Sequence, residues 1–269
     1  AGCTMVIKPA QLTPLSMLKL AELLQELGLP DGVLNVITSS SSGAVSAPII
    51  ADPRLRKLTF TGSTEVGRKL IEQTAQGVLR SSMELGGNAP FVVFEDADVD
   101  DAVTGAMVAK MRNVGEACTS ANRFYVHEDL AEAFAAKLAE RMGALKLGRG
   151  SEEGTEVGPL IDENQRTTVA GLVDDAVGKG ARTLCGGTAR EGAGYFYEPT
   201  VLVDVPDDAN LLSEEIFGPV APIRTFRTED EAVEAANATE YGLVAYVYTN
   251  DVKRALRVCE RLDTGMIGL

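Results

Sequence analysis

The sequence predicts an α/β fold with parallel sheets. Short apolar runs alternate with stretches of helical period along almost the whole chain, the pattern of successive βαβ units. The elements have lengths ordinary for such units, with neither a fixed-period repeat nor a low-complexity linker. Strands run into glycines and hydroxyl residues, as at Thr61-Gly62-Ser63-Thr64, where a turn can lead straight into a capped helix.

Taken in order, Met5–Ile7 reads as a short apolar strand. A helix follows, with Thr13 as N-cap, Pro14 in the first turn, and Met17, Leu20, Leu23, Leu24 and Leu27 on one face. Gly28 and Pro30 stop it. Strands are expected over 33–37 and 58–61, with 39–42 as a brief polar loop. A helix over 64–75 leads to a short strand holding Met83 and Leu85, which ends at Gly86-Gly87. A strand over 91–94, a long helix Val99–Met111, the loop of Cys118 and a strand over 123–127 come next. Helices over 130–142 and 165–179 precede a strand Arg182–Cys185, an extended run over 196–203 with Pro199 suited to a sheet edge, and a strand over 223–226. Helix Glu229–Asn237, a strand over 245–248, a helix over 252–262 and a last strand over 264–269 close the chain. The Gly86-Gly87 break is the expected boundary between two lobes, 1–86 and 87–269.

A chain of 269 residues has room for two such lobes and a sizeable core. A net charge of -14 argues against a general nucleic-acid-binding role, which wants a basic face. It leaves open a local pocket for an anionic small molecule. Apolar runs fall short of the roughly 18 residues of a membrane helix, so no membrane partner is expected. With neither a signal peptide nor an initiator Met at the start, the chain reads as a cytoplasmic protein and as a fragment. The four cysteines, Cys3, Cys118, Cys185 and Cys259, form no C-x-x-C pair. Zinc and thioredoxin motifs are therefore absent, and disulfides are not expected in a reducing compartment. The single His127 removes multi-histidine chemistry, and no metal site is expected.

Several residues could carry chemistry, each with a plainer alternative. Free N–H groups after Gly62 and Ser63 suit a phosphate, although an ordinary capped turn would look the same. Lys8 ends a strand, where α/β folds place ligands, or is a solvated surface lysine. Glu84 precedes a double glycine; partial burial there would raise its pKa toward that of a general base, whereas exposure would leave it a plain strand residue. Cys118 is a candidate nucleophile or an inert buried thiol; Cys3, Cys185 and Cys259 fit the inert reading. His127 could pair with Cys118 but is poorly placed at the far end of a strand. Glu215 could hold ribose hydroxyls with Phe217 against a flat ring, or the Glu214–Pro219 stretch could be a loop anchored by Ile216 and Phe217.

Together these pieces resemble the aldehyde dehydrogenase superfamily along essentially the whole chain. The marks are Phe60-Thr61-Gly62-Ser63, Glu84-Leu85-Gly86-Gly87, Gly115-x-x-Cys118 and Glu215-x-Phe217-Gly218-Pro219, in that order. Glu84-Leu85-Gly86-Gly87-Asn88-Ala89-Pro90-Phe91, Arg112-Asn113 and Ala121-Asn122-Arg123 are most similar to succinate-semialdehyde dehydrogenases. The resemblance implies a Rossmann-like cofactor lobe, incomplete here, followed by an α/β catalytic lobe lacking its C-terminal part. It implies NAD(P)-dependent oxidation of an aldehyde to a carboxylate, with succinate semialdehyde as substrate. Cys118 would form a thiohemiacetal, hydride would pass to NAD or NADP to leave a thioester, and Glu84 would activate the water that hydrolyses it. The Cys118 N–H would form half of an oxyanion hole, and Arg112 would bind the substrate carboxylate as a planar fork. Lys8 and Gln11 would face the adenosine ribose and Ser63 the pyrophosphate, with Gly62 and Leu85 in the same cofactor-binding set. Glu215 would hold the nicotinamide ribose, with Phe217 beside the ring. The full-length parent is expected to be a homo-oligomer.

The chain departs from its relatives at three places. Glu116 stands where most have Gln; a carboxylate would disfavour a thiolate if it pointed inward, so it is expected to point away. Gln11 stands where many have Glu, which weakens discrimination against the 2′-phosphate of NADP and leaves cofactor preference open. Ser120 replaces the second cysteine of some semialdehyde dehydrogenases, so a local disulfide switch is not expected. The family's oxyanion asparagine and second substrate arginine would lie upstream of Ala1. Loss of such a donor costs on the order of 100- to 1000-fold in rate, so this chain alone is expected to be weakly active or inactive. The alternatives are a CoA-acylating semialdehyde dehydrogenase, against which Glu84 argues, an inactive nucleotide-binding core, and a cysteine hydrolase, which lacks a base-orienting histidine.

Overall fold

The computed structural model describes residues 2–269. The chain divides into two compact units, Ala1–Leu85 and Gly86–Leu269.

The first unit begins with β1 (Met5–Ile7), α1 (Leu15–Glu26) and β2 (Leu34–Val36), where β1 and β2 pair in parallel. α2 (Ser42–Ile50), β3 (Lys57–Thr61), α3 (Thr64–Ala75) and β4 (Arg80–Glu84) follow, with β3 and β4 also parallel. The expected cap at Thr13 is not found. Helix α1 starts one residue after Pro14, which already has helical φ and ψ of -81° and -19°. Its carbonyl accepts the first turn's bond from the Leu18 N–H at 3.1 Å, so the ring-fixed φ of proline starts the helix without a side-chain cap. Helix α2 begins inside the stretch read as a polar loop. Its Ser42-Gly43 start and its internal Pro48 mask the helical signal. Every residue of α1 stays at least partly exposed.

The second unit is built on a seven-stranded sheet. In chain order it comprises β5 (Ala89–Val93), α4 (Val99–Met111), a 3-10 turn (Arg112–Gly115), β6 (Ala121–His127), α5 (Glu128–Gly143), α6 (Glu163–Gly178) and β7 (Arg182–Cys185). Then come β8 (Thr200–Val203), a short 3-10 turn (Asn210–Leu212), β9 (Val220–Phe226), α7 (Glu229–Asn237), β10 (Val244–Tyr248), α8 (Val252–Arg261) and β11 (Met266–Gly268). The strand order is β11-β10-β5-β6-β9-β8-β7. All neighbours are parallel except β7 and β8.

The alternation of β5 explains why helices cover both faces of this sheet. Phe91 and Val93 point to the side of α4 and α5, meeting Val103, Phe134, Leu138 and Met142. Val92 and Phe94 point to the other side, meeting Val233 of α7, with Val258 of α8 in the same cluster. Burying each such side chain contributes about 1.5–3 kcal/mol. Strand β6 starts at Ala121, two residues before the expected start, which brings Asn122 into the sheet. Pro199 is not at an edge: β8 lies between β7 and β9, and Pro199 stands just before it. Arg123, 1% exposed, is satisfied by carbonyls. It donates to Asn88 O at 2.8 Å, Ala235 O at 3.0 Å and Ala236 O at 2.8 Å, tying β6 to the end of α7.

Candidate active site

In the first unit, Gly62 and Ser63 turn the chain from β3 into α3. The Ser63 hydroxyl caps the helix by accepting the Val66 N–H at 3.4 Å, and the Gly62 N–H donates to Glu84 O at 3.0 Å. Leu85 packs over Gly67, where a Cβ would stand 2.5 Å from a Leu85 methyl. Glu84 ends β4 and is exposed, so the partial burial its motif suggested is not found. The four residues are therefore gathered at one end of the β3–β4 pair. Lys8 and Gln11 follow β1. Lys8 donates to Pro9 O at 2.7 Å, and Gln11 lines a groove with Pro9, Thr38, Ser39 and Ser40, neutral residues throughout.

In the second unit, the Cys118 loop is held by an unusual backbone. Asn113, Val114 and Gly115 have φ of 56°, 59° and 78° in succession. A β-branched residue in the left-handed region is an outlier that surrounding structure must impose. Two contacts impose it. The Asn113 carboxamide donates to Glu116 O at 2.7 Å, and Gly115 lies so close to Gly218 that a Cβ would stand 2.2 Å from its carbonyl oxygen. The Ser120 N–H then closes a turn onto Ala117 O at 2.9 Å. Cys118 is left half-buried at the turn, with a free thiol. Its own N–H donates to no group among the described residues, which leaves it available as an oxyanion donor.

Glu116, unassigned by sequence reasoning, has a definite partner. Its Oε1 accepts the Ile161 N–H at 3.1 Å, just before α6. Burial pushes its carboxyl above the usual range; the Ile161 N–H opposes this and nearby Asp162 adds to it. Asp162 caps α6 by accepting the Gln165 N–H at 2.9 Å. The Gln165 carboxamide in turn donates to Ile216 O at 3.1 Å and Phe217 O at 2.9 Å. Phe217 itself has φ of 49°, and Gln165 is among the groups that hold it there. Sequence reasoning missed Gln165, although Asp162-x-x-Gln165 is a capping-box spacing that could have revealed it.

Glu215 is fixed over the double glycine. Its Oε1 accepts the Gly87 N–H at 2.9 Å, and a Cβ at Gly86 would stand 2.6 Å from its Oε2. Burial raises its carboxyl; the Gly87 N–H and the charge of Lys110 pull it back down. Arg112, exposed, lines a groove of about 530 Å³ with Thr104, Thr119, Ser120, Tyr246 and Tyr248. The Tyr246 hydroxyl donates to Thr119 O at 2.8 Å. Its phenol is raised by burial, with Arg112 and Cys118 both acting on it. The Tyr246 hydroxyl, bonded to the Cys118 loop at Thr119, thus lies in the groove that Arg112 lines. His127 is not a partner of Cys118. It caps α5, accepting the Asp129 N–H at 3.4 Å, roughly 20 Å along β6 from the strand's start at about 3.3 Å per residue.

A largely parallel α/β unit thus presents a half-buried cysteine on a strained turn and a carboxylate anchored over a double glycine. The chain belongs to the aldehyde dehydrogenase family, which it matches over residues 1–269. It is 58% identical over 268 residues to succinate-semialdehyde dehydrogenase of Paenarthrobacter nicotinovorans, covering all of this chain and 60% of that protein. It is 51% identical to glutarate-semialdehyde dehydrogenase of Pseudomonas putida, covering 100% of this chain and 55% of that protein. The crystal structure of an NADP-dependent enzyme of E. coli superposes with a TM-score of 0.97 at 51% identity, covering 100% of this chain and 56% of that one. The chain therefore spans little more than half the length of the relatives it matches.

Proposed function

We propose that this chain carries the nucleophile, the substrate-carboxylate site and part of the cofactor site of an NAD(P)-dependent aldehyde dehydrogenase for a carboxylated semialdehyde, succinate semialdehyde first. The observation that carries this reading is a single groove lined by Arg112, by Ala117, Thr119 and Ser120 on either side of Cys118, and by Tyr246, whose hydroxyl is bonded to Thr119. A guanidinium placed there can grip the carboxylate end of a short substrate while its aldehyde meets the thiol. The identities to succinate- and glutarate-semialdehyde dehydrogenases support the substrate class.

In this reading 1–86 is the partial NAD(P)-binding domain and 87–269 the incomplete catalytic domain. The residues present fit the cofactor. The capped α3 start at Gly62 and Ser63 suits a pyrophosphate. The neutral groove of Gln11, Ser39 and Ser40 can take a ribose with or without a 2′-phosphate. Gly86 leaves the Glu215 carboxylate room that a Cβ would fill, so Glu215 can hold ribose hydroxyls, with Phe217 beside the nicotinamide. When bound, NAD or NADP supplies the hydride acceptor.

The chain's own residues do the rest. The Cys118 thiolate adds to the aldehyde carbon, and the new oxyanion is met by the Cys118 N–H. Once hydride had left the thiohemiacetal carbon for the acceptor, Glu84, exposed and able to reach water, would take a proton as water attacks the remaining thioester, releasing carboxylate and the Cys118 thiol. Among the described residues no helix is long and apolar enough to cross a membrane. A cytoplasmic setting and a homo-oligomeric full-length protein belong to the same reading, which fractionation and light scattering test.

A substrate panel tests the function, following NADH and NADPH with succinate, glutarate and uncharged aldehydes, in the full-length protein. Cys118→Ala is expected to abolish turnover. Arg112→Ala is expected to raise the Michaelis constant for carboxylated aldehydes far more than for uncharged ones. Equal effects on both classes would remove the case for a semialdehyde acid.

A further inference from the structure

The proposed chemistry gives no task to Lys110, yet this lysine is fully buried on α4, among the largest buried side chains. Its one hydrogen bond among the described residues goes from Nζ to Asn122 Oδ1 at 2.7 Å. Lysines are almost never buried without cause, since desolvating the ammonium is costly. The cause lies along a chain of contacts. The Asn122 carboxamide donates onward to Gly87 O at 3.4 Å. The other side of that glycine donates its N–H to Glu215 Oε1 at 2.9 Å. Gly87 also lies against the Cys118 carbonyl, where a Cβ would stand 2.1 Å from the oxygen.

We propose that Lys110 is a positioning residue: through Asn122 and Gly87 it sets where the Glu215 carboxylate lies against the nucleophile loop. This rests on the reading of Glu215 as the holder of the nicotinamide ribose. Electrostatics agree with the geometry. Burial lowers the Lys110 amine to about 7, and the charge of Glu215 works against that fall. Other charged groups on neighbouring elements face elsewhere. Arg123 on β6 turns to the Asn88, Ala235 and Ala236 carbonyls. On α5, Lys137 meets Asp100 and Arg141 meets Thr104 at an exposed surface. Glu116 is bound to Ile161.

The test has two arms. In the first, the Lys110 ε-carbon is titrated by NMR in the wild-type chain and in Glu215→Gln, with Lys110→Gln to assign the signal. A coupled pair predicts that the midpoint falls by about half a pH unit or more when Glu215 loses its charge. In the second, NADH and NADPH are titrated into the wild-type chain and Lys110→Met. Loss of the Lys110–Asn122 bond predicts binding weakened about 5- to 10-fold, the equivalent of one hydrogen bond. An unchanged Lys110 midpoint overturns the proposal, as does undiminished cofactor affinity in a folded Lys110→Met. If the wild type binds neither cofactor, the cofactor reading of Glu215 falls. The first arm still decides whether Lys110 acts on that carboxylate, and it needs no Lys110 variant beyond assignment.

Discussion

The Gly87 backbone lies against the Cys118 carbonyl so closely that a single added methyl would stand 2.1 Å from the oxygen. This contact joins the double-glycine segment that holds Glu215 to the turn that presents the thiol. Gly87→Ala must push one of them aside. Overpacking of this kind costs about 1–3 kcal/mol, which urea unfolding would register. The rate of Cys118 alkylation by iodoacetamide is expected to change in the same variant, because the turn itself moves. Unchanged stability and unchanged alkylation together would mean that the contact is not tight.

Glu116 offers a pH test with a definite sign. Its folded pKa is raised, chiefly by burial, so the folded state holds its proton more firmly than the unfolded one. That contribution is present below the unfolded pKa and is lost as pH rises through the folded pKa. At neutral pH, Glu116→Gln is therefore expected to be at least as stable as wild type, since Gln can still accept the Ile161 N–H. Glu116→Ala loses that bond and is expected to be less stable by about 1 kcal/mol. Thermal melts across pH 4 to 8, in steps of about one unit, compare the three. A Gln variant less stable than wild type at neutral pH would contradict this account.

Lys110 carries the opposite sign. Its folded pKa is depressed to about 7 from a usual 10.5, so between these values the unfolded state binds the extra proton. Stability from this group is full above the unfolded pKa and is lost as pH falls through the window toward about 7. The difference in unfolding free energy between wild type and Lys110→Met is expected to slope by up to about 1.4 kcal/mol per pH unit there. A flat difference in urea titrations would show that the amine keeps its proton on folding.

The two units should differ in protection from hydrogen exchange. β1 pairs only with β2, and its Met5 and Val6 are 55% and 47% exposed. β5 is flanked on both sides by strands and is buried throughout. Two-stranded sheets are marginal alone, and local opening follows exposure. Amides of β1 and β3 are expected to exchange well before those of β5 and β6 in mass-spectrometric time courses. Equal protection would show that the first unit is as cooperative as the second.

Much of the fold could be read from the residues in order. Phe91, Val92, Val93 and Phe94 form a continuous apolar run; its first three residues lie in β5, a buried inner strand, and Phe94 follows it. The α4 and α7 bounds emerged because Asp98 and Thr228 cap regular helices. Helix α2 escaped because serines, a glycine and Pro48 hide its period. The Cys118 turn was visible as small residues and glycine after a helix, but Val114 at a positive φ was not. Nothing in the valine announces it; the Gly115–Gly218 approach and the Asn113 bond impose it from outside.

Apart from helix α2, the sequence by itself determined the order of strands and helices, and it determined the residue types available for chemistry. It could do so because period, capping and turn preference act over a few neighbouring residues. Tertiary structure alone decided that His127 caps a helix, that Glu84 is exposed, and that Glu116 answers to Ile161. It also decided the link from Lys110 through Asn122 and Gly87 to Glu215, the last step of which spans 128 residues of chain. A hydrogen bond over that separation leaves no local signature, because either residue alone would suit many other places on the surface.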